Sequence, residues 1–460
     1  MAVAVIVVYI FAFIARIRFR PERADSLPTS GLRPDWIIIA LPVALVIQLF
    51  SGRITVLVVG FLVAGAFVRK SEGRFDVQLG PLVLLVLASA IVFSRPQEVS
   101  TLLLFVLVSA LAVRLATTVD ARRIIASLID GCGLYLVANV VCYVAGVVSP
   151  SSKNRIGNLV ETTGFVRIIF PLTSSINSAS IVAALYVAAA VFMLLEVGWL
   201  RRSLRLVSLA AAIFVQVGAG SRAALTVGAV LSVAVICFPF FTRWVAQAAT
   251  LLSAASAFIL PGLISSLEFA MAPIISLLAP GRVTTSESIG TLENRSLLWH
   301  NSIAYWNESI NDFQHVLFGY GVYGQYRSGA SLTYSGLLTS LTQHPELALV
   351  HNSFLQQLFD GGIVGWLLLV FAAWWMSVRL ANRRREWGIW GFGAVVAMTV
   401  LLVGAMTETG MAPGVAEDSF WLLLILAGVA CQAGRKGSVD GDTENSYPVA
   451  MFTNDMHSRA

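Results

Sequence analysis

The sequence predicts an all-α, polytopic membrane protein of about 12–13 transmembrane helices, with a large extracytoplasmic loop containing short helices. Three observations predict it. Hydrophobic residues make up 57% of the 460 positions and charged residues only 12%, a balance outside the range of soluble globular chains. Apolar runs recur at bilayer length, for which roughly 20 residues suffice. Lys and Arg fall unevenly between alternate loops, as the positive-inside rule requires of a spanning chain.

Taken in order, the apolar segments lie near 1–15, 35–50, 54–68, 79–93, 99–113, 124–148, 179–198, 204–219, 223–241, 245–264, 353–378, 388–406 and 419–432. The pairs within 35–68 and 204–241 are tight hairpins. No cleavable signal peptide is expected, because the basic run follows the first apolar segment. With the N-terminus outside, 22 of the 31 Lys and Arg residues fall inside and nine outside. The net charge of +6 then reflects anchoring to membrane lipids at the cytoplasmic face and calls for no nucleic-acid partner.

This divides the chain into helices 1–10 over 1–264, an outer loop over 265–351, helices 11–13 over 352–434, and a polar tail over 435–460 that reads as disordered and cytoplasmic. Two outer segments exceed the usual connection length. One, 149–178, is rich in Ser and Asn and carries Lys153, Arg155 and Arg167. The other, 265–351, holds four of the five histidines: His300, His315, His344 and His351. A loop of that length is usually functional or partly folded. Within it, Leu298, Ser302, Tyr305 and Trp306 recur at a loosely helical spacing, which predicts an amphipathic helix over 295–313. Cys132, Cys142, Cys237 and Cys431 all fall in predicted spans without a Cys-x-x-Cys pair, and read as packing residues.

Three residues carry candidate chemistry. Arg222 follows Gly218-Ala219-Gly220-Ser221 at the outer mouth of the predicted span 223–241. A cation at a helix N-terminus suits an anion such as diphosphate; the alternative is a headgroup anchor. Arg295 opens the predicted amphipathic helix, and its guanidinium fork can hold two phosphate oxygens at once. A solvated loop charge is the alternative, and Arg282 and Arg327 are equally basic. His351 stands where the outer loop meets the span 353–378, with residues 351–353 able to cap that helix. The positive helix end disfavours an imidazolium, which leaves a neutral imidazole able to act as a general base. Taken alone, it reads first as an interfacial capping histidine.

Other patterns are set aside. Asp360, nine residues on in a continuous helix, lies on the opposite face and roughly 13 Å further along, which argues against an Asp–His dyad. Gly361, Gly362 and Gly365 read as helix-packing residues. Gly319-Tyr320-Gly321-Val322-Tyr323-Gly324 matches G-x-G-x-x-G but lacks the βαβ context of a dinucleotide site. No Walker-type phosphate loop occurs. Glu417-Asp418 is the only adjacent acidic pair in the outer segments, so no metal site is expected.

Four motifs, in order, resemble the O-antigen ligase and O-antigen polymerase family of bacterial membrane glycosyltransferases. They are Gly220-Ser221-Arg222-Ala223-Ala224-Leu225, Asn294-Arg295-Ser296-Leu297-Leu298-Trp299, Phe318-Gly319-Tyr320-Gly321, and His351-Asn352 with Leu355, Gly362 and Gly365. Asp360 stands where that family usually has Glu. The motifs cover about 150 residues directly. The resemblance implies an inverting transfer from an undecaprenyl-diphosphate-linked glycan to a glycolipid or glycan hydroxyl, with no cofactor, nucleotide or metal. Arg222 and Arg295 would hold the diphosphate, and His351 would deprotonate the acceptor. Asn352, Trp299, Asp360, Arg167 and Glu408 are supporting candidates, with Arg167 read in the first instance as a headgroup anchor and Glu408 as a helix-end residue. The acceptor separates two versions: lipid A-core for a ligase, another lipid-linked repeat unit for a polymerase. The rival class is a transporter of lipid-linked sugar, which usually places charges near the bilayer midplane and often shows inverted repeats. Here the centres of the predicted spans are almost free of charge and no repeat is evident.

Overall fold

The computed structural model describes residues 34–69, 71, 75–94, 99–149, 159–162, 165–173, 177–193, 199–219, 242–259, 295–338, 344–384, 386–415 and 417–435. The expected spans 1–15 and 223–241, the loop before 295 and nearly all of the tail lie outside these residues.

The described chain is helical, with two small strand pairs. In order, the helices are α1 (Trp36–Val46), α2 (Gly52–Val68), α3 (Gly80–Phe93), α4 (Val99–Thr118), α5 (Ala121–Val144), α6 (Ser178–Met193), α7 (Trp199–Ala219), α8 (242–259), α9 (Arg295–Ser309), α10 (Phe313–Phe318), α11 (Gly324–Arg327), α12 (Leu332–Ser335), α13 (Ser353–Arg383), α14 (Ile389–Thr407) and α15 (Asp418–Cys431). Among the described residues α4, α5, α7, α13 and α14 are long and apolar enough to cross a membrane. The shorter apolar helices α1, α2, α3, α6 and α15 pack with them around one buried core.

The helix starts follow from capping chemistry. Asp35, Ser51 and Asp120 each accept a backbone N–H of the first turn of α1, α2 and α5, satisfying donors that have no partner inside the helix. The antiparallel pairs β1 (Phe75–Val77) with β4 (Gln432–Arg435), and β2 (Leu159–Thr162) with β3 (Phe165–Ile168), were not anticipated from the sequence. Both lie in connecting segments, where three or four residues give too little periodicity to read.

Side-chain contacts sort the bundle into two ends. At one, Arg69 pairs with Asp35, Arg114 donates to Ala66 O (3.1 Å) and Arg69 O (3.1 Å), and Arg379 donates to Ala430 O (2.7 Å). Arg201 and Arg205 share Asp130, and the Arg205 guanidinium lies 5.6 Å from the centre of the Trp390 ring. Trp36, Trp199 and Trp244, each in the first turn of its helix at this end, are exposed, as expected of interfacial tryptophans. Among the described residues the opposite end carries fewer arginines, Arg167 and Arg295 among them, and holds the start of α13, the end of α14 and the start of α15.

The sequence reading of α13 as a continuous helix is corrected. Gly362 has φ 65° and ψ −168°, so the helix breaks there. Asn352 Nδ2 lies 2.7 Å from Ser256 Oγ and Ser377 Oγ lies 3.2 Å from Thr250 Oγ1. Positions 250 and 256 are about 9 Å apart along α8, whereas 352 and 377 would be about 37 Å apart on a straight helix. The piece 353–361 is therefore turned back towards α8, and 363–383 forms the apolar run. Gly362 supplies a conformation open essentially to glycine alone, and with it the close packing expected of it, since a Cβ there would stand 2.3 Å from Leu317 C.

The break frees carbonyls at the end of 353–361 that need donors. The segment 319–324 provides them: Tyr320 N–H donates to Phe359 O (2.9 Å), Gly321 N–H to Asp360 O (2.9 Å) and Gly324 N–H to Asp360 Oδ1 (2.7 Å). A Cβ at Gly319 or Gly324 would sit 2.4 or 2.3 Å from the Asp360 or Phe359 carbonyl oxygen. The G-x-G-x-x-G spacing thus serves a backbone-to-backbone dock.

Candidate active site

His351 is placed from three directions. Asn352, fully buried, caps the 353–361 helix by accepting from Phe354 N–H (3.1 Å) and Leu355 N–H (2.9 Å), while its amide donates to Ser256 Oγ (2.7 Å) and Met406 O (2.9 Å). Trp299, fully buried on α9, donates its indole N–H to Val350 O at 2.8 Å. Ser353 Oγ donates to Glu408 O (2.7 Å) and accepts from Met411 N–H (3.0 Å). Between these anchors His351 takes φ 48°, a left-handed conformation rare for a residue with a side chain. Held in this way, the imidazole keeps 37% of its surface exposed beside an otherwise buried cluster.

The centre of that cluster is Glu408, at the end of α14. Its Oε1 accepts from Arg295 Nη2 at 2.5 Å and its Oε2 lies 3.3 Å from His351 Nδ1. One carboxylate thus bridges the candidate base and one candidate phosphate-binding arginine. Burial alone would raise the Glu408 pKa, but Arg295 and then His351 hold it below the ordinary carboxylate value, with Asn177 adding a hydrogen bond. Arg167, on β3, is buried and electrostatically linked to both Arg295 and Glu408; burial and the neighbouring Arg295 lower its proton affinity, and Glu408 opposes them. Glu408 is the helix-end residue expected, closing α14 with its N–H on Gly404 O, and it also bonds Arg295 and His351; the reading of Arg167 as a headgroup anchor is corrected, because its side chain is buried beside Arg295 and Glu408.

Arg222 lies outside the described residues. Asp360 is near the His351 helix but does not reach the base. Its Oδ1 accepts from Gly324 N–H and from Gln356 Nε2 (2.8 Å), and Gln356 Nε2 also reaches Gln325 Oε1 (2.7 Å). It ties the loop to the 353–361 helix. Among the described residues no group of three or more His, Cys, Asp and Glu side chains could hold a metal ion.

Asn177 and Ser256 also contribute, without any sequence signal that singled them out, as does Glu417, which the sequence marked only as part of an acidic pair. Glu417 is buried, accepts from Thr409 Oγ1 at 2.9 Å, and is pushed up to about 8 by burial, then by the nearby Glu408 and Asp418 charges. Since the unfolded carboxyl titrates near 4.5, the protonated form stabilises the fold fully below that pH. This contribution is lost as pH rises through about 8. Glu417→Gln, neutral at every pH, is expected to raise the melting temperature at pH 7–8 and to match the parent below pH 4.5. Thermal unfolding in detergent at both pH values checks this, and equal destabilisation at both would contradict it.

Neither a protein-family model nor any curated protein matches this chain.

Proposed function

We propose that this protein is a membrane glycosyltransferase that moves an undecaprenyl-diphosphate-linked glycan onto a hydroxyl acceptor at the extracytoplasmic face of the cytoplasmic membrane. The O-antigen ligase type, with lipid A-core as acceptor, is the leading version; an O-antigen or exopolysaccharide polymerase would run the same chemistry with a lipid-linked repeat unit as acceptor. One observation carries the reading: the buried carboxylate of Glu408 joins the partly exposed His351 and Arg295, with Arg167 electrostatically linked to it. The arginine-rich end of the bundle supports a cytoplasmic assignment for that end, and hence an outward-facing site. With the shorter apolar helices and the segments outside the described residues included, about 12–13 spans fit the chain.

The chemistry follows from the atoms. With Nδ1 facing Glu408, His351 Nε2 is the nitrogen available to take the acceptor proton. The acceptor oxygen attacks the anomeric carbon from the face opposite the diphosphate, which inverts that centre. The bond to the diphosphate oxygen breaks with its electron pair, and Arg295, Arg167 and Arg222 stabilise the charge that develops.

Arg295→Gln tests the diphosphate assignment. Loss of a preorganised cation facing developing charge is expected to lower kcat/KM for the donor by ~10²–10³-fold. Arg295→Lys, which cannot form the planar fork, should recover only part of this. Donor-dependent kinetics in proteoliposomes decide it; an unchanged kcat/KM in Arg295→Gln would remove Arg295 from the mechanism.

A further inference from the structure

We propose that Glu408 couples donor binding to the base: an arriving diphosphate displaces its carboxylate from Arg295, and the carboxylate then serves His351. The inference rests on the reading of the cluster as a diphosphate site and specifies how that site is regulated.

The bridge geometry carries it. Glu408 uses one oxygen for Arg295 at 2.5 Å and the other for His351 at 3.3 Å. The first contact is a tight charge-assisted bond, whereas the second is longer than the usual 2.7–3.2 Å range for nitrogen donors. In the resting protein the carboxylate therefore belongs mainly to Arg295. The groups facing it are Arg295 from α9, Arg167 from β3, Asn177 before α6, His351 before α13, and Glu417 before α15. Counted over the described residues, Arg167 and Arg295 contribute two positive charges and Glu408 one negative charge, with Glu417 carrying a proton near neutrality.

A diphosphate diester brings two negative charges to the guanidinium that Glu408 occupies. Arginine binds phosphate bidentately, and two anions on one partly buried guanidinium repel where the buried Glu408 carboxylate is poorly screened by solvent. The partner on the other oxygen of Glu408 is His351. A carboxylate committed to Nδ1–H fixes the tautomer with Nε2 bare and stabilises the imidazolium that forms as the acceptor proton moves to Nε2. The acceptor oxygen meanwhile bonds the anomeric carbon, and the electron pair of the broken bond leaves on the diphosphate. The base is armed only when the donor is seated, so the donor binds before the acceptor.

The test is the ¹⁵N spectrum of histidine-labelled full-length protein in nanodiscs, with His351→Asn assigning the His351 signals. Spectra are compared without anion, with inorganic pyrophosphate, and with an intact lipid-diphosphate sugar but no acceptor. The expected result is that donor or pyrophosphate drives His351 to the Nδ1–H tautomer, and that Glu408→Gln abolishes this response. In turnover, Glu408→Gln should lose about tenfold or more in kcat, with Glu408→Asp recovering part of it. A His351 signal unmoved by either anion, or a Glu408→Gln protein that responds like the parent, would overturn the coupling. If His351 responds but no acceptor is ever glycosylated, the coupling stands and the transferase reading fails. Transfer with an unresponsive His351 would mean the reverse.

Discussion

His351→Asn is expected to lower transfer by ~10²–10⁴-fold, the usual contribution of a positioned general base, while leaving the protein folded. Asparagine is the informative replacement because His351 sits at φ 48°, and asparagine enters the left-handed region more readily than other residues with a side chain. Among the described residues the imidazole reaches Glu408 Oε2 at 3.3 Å. The backbone around it is fixed by Asn352, Trp299 and Ser353, none of which the substitution touches. His351→Ala should lose the same activity with a larger cost to the fold, since alanine gains nothing from the left-handed conformation. Activity per folded molecule, normalised by the elution profile in detergent, separates these effects. An asparagine variant retaining near-parental turnover would remove His351 as the base.

Gly362→Ala should be the most damaging single substitution in the fold described here. At φ 65° and ψ −168° the backbone occupies a region open essentially to glycine alone, where other residues cost on the order of 1–3 kcal/mol. The added Cβ would also stand 2.3 Å from Leu317 C and 2.5 Å from Phe318 N. Backbone cannot yield as a side-chain tip does, so the 313–324 segment would have to lift away from the 359–361 carbonyls. The combined loss should exceed ~3 kcal/mol, enough to unfold a marginally stable protein. Gly388→Ala is the matched control: φ is 59° there, but nothing lies within 4 Å of the added carbon, so only the conformational strain applies. Thermal stability of the two variants measures the difference. Equal effects would mean that the dock between 319–324 and the broken helix contributes nothing.

How much of this was legible depended on the range of the signal. Apolar runs placed α3, α5, α14 and α15 within a few residues of their observed bounds, because bilayer-length hydrophobicity is a local property. The cap at Asn352 was legible for the same reason: a polar residue directly before an apolar helix has one obvious use. The break at Gly362 was not, because apolar residues continue on both sides and a glycine inside a helical pattern usually signals packing. Only the carbonyls it releases, and the 319–324 segment that caps them, show its role.

The site divided in the same way. His351 and Arg295 stood out at the boundaries of elements. Glu408 was only a supporting candidate, and its bridging role was not legible, because it lies 57 positions from His351 and 113 from Arg295, and no periodicity links residues so far apart. Arg167 reached the cluster through a two-stranded pairing too short to predict. Arg222 remains an assignment from the sequence.

The most direct measurement uses the purified protein in proteoliposomes with a defined undecaprenyl-diphosphate oligosaccharide and separate candidate acceptors, following released undecaprenyl diphosphate and product size. Release that depends on acceptor and on His351 is the expected result, with lipid A-core products indicating a ligase and longer lipid-linked chains a polymerase. Folded protein that releases nothing with any acceptor, yet carries lipid-linked sugar across the vesicle membrane, would contradict the transferase reading and identify a transporter.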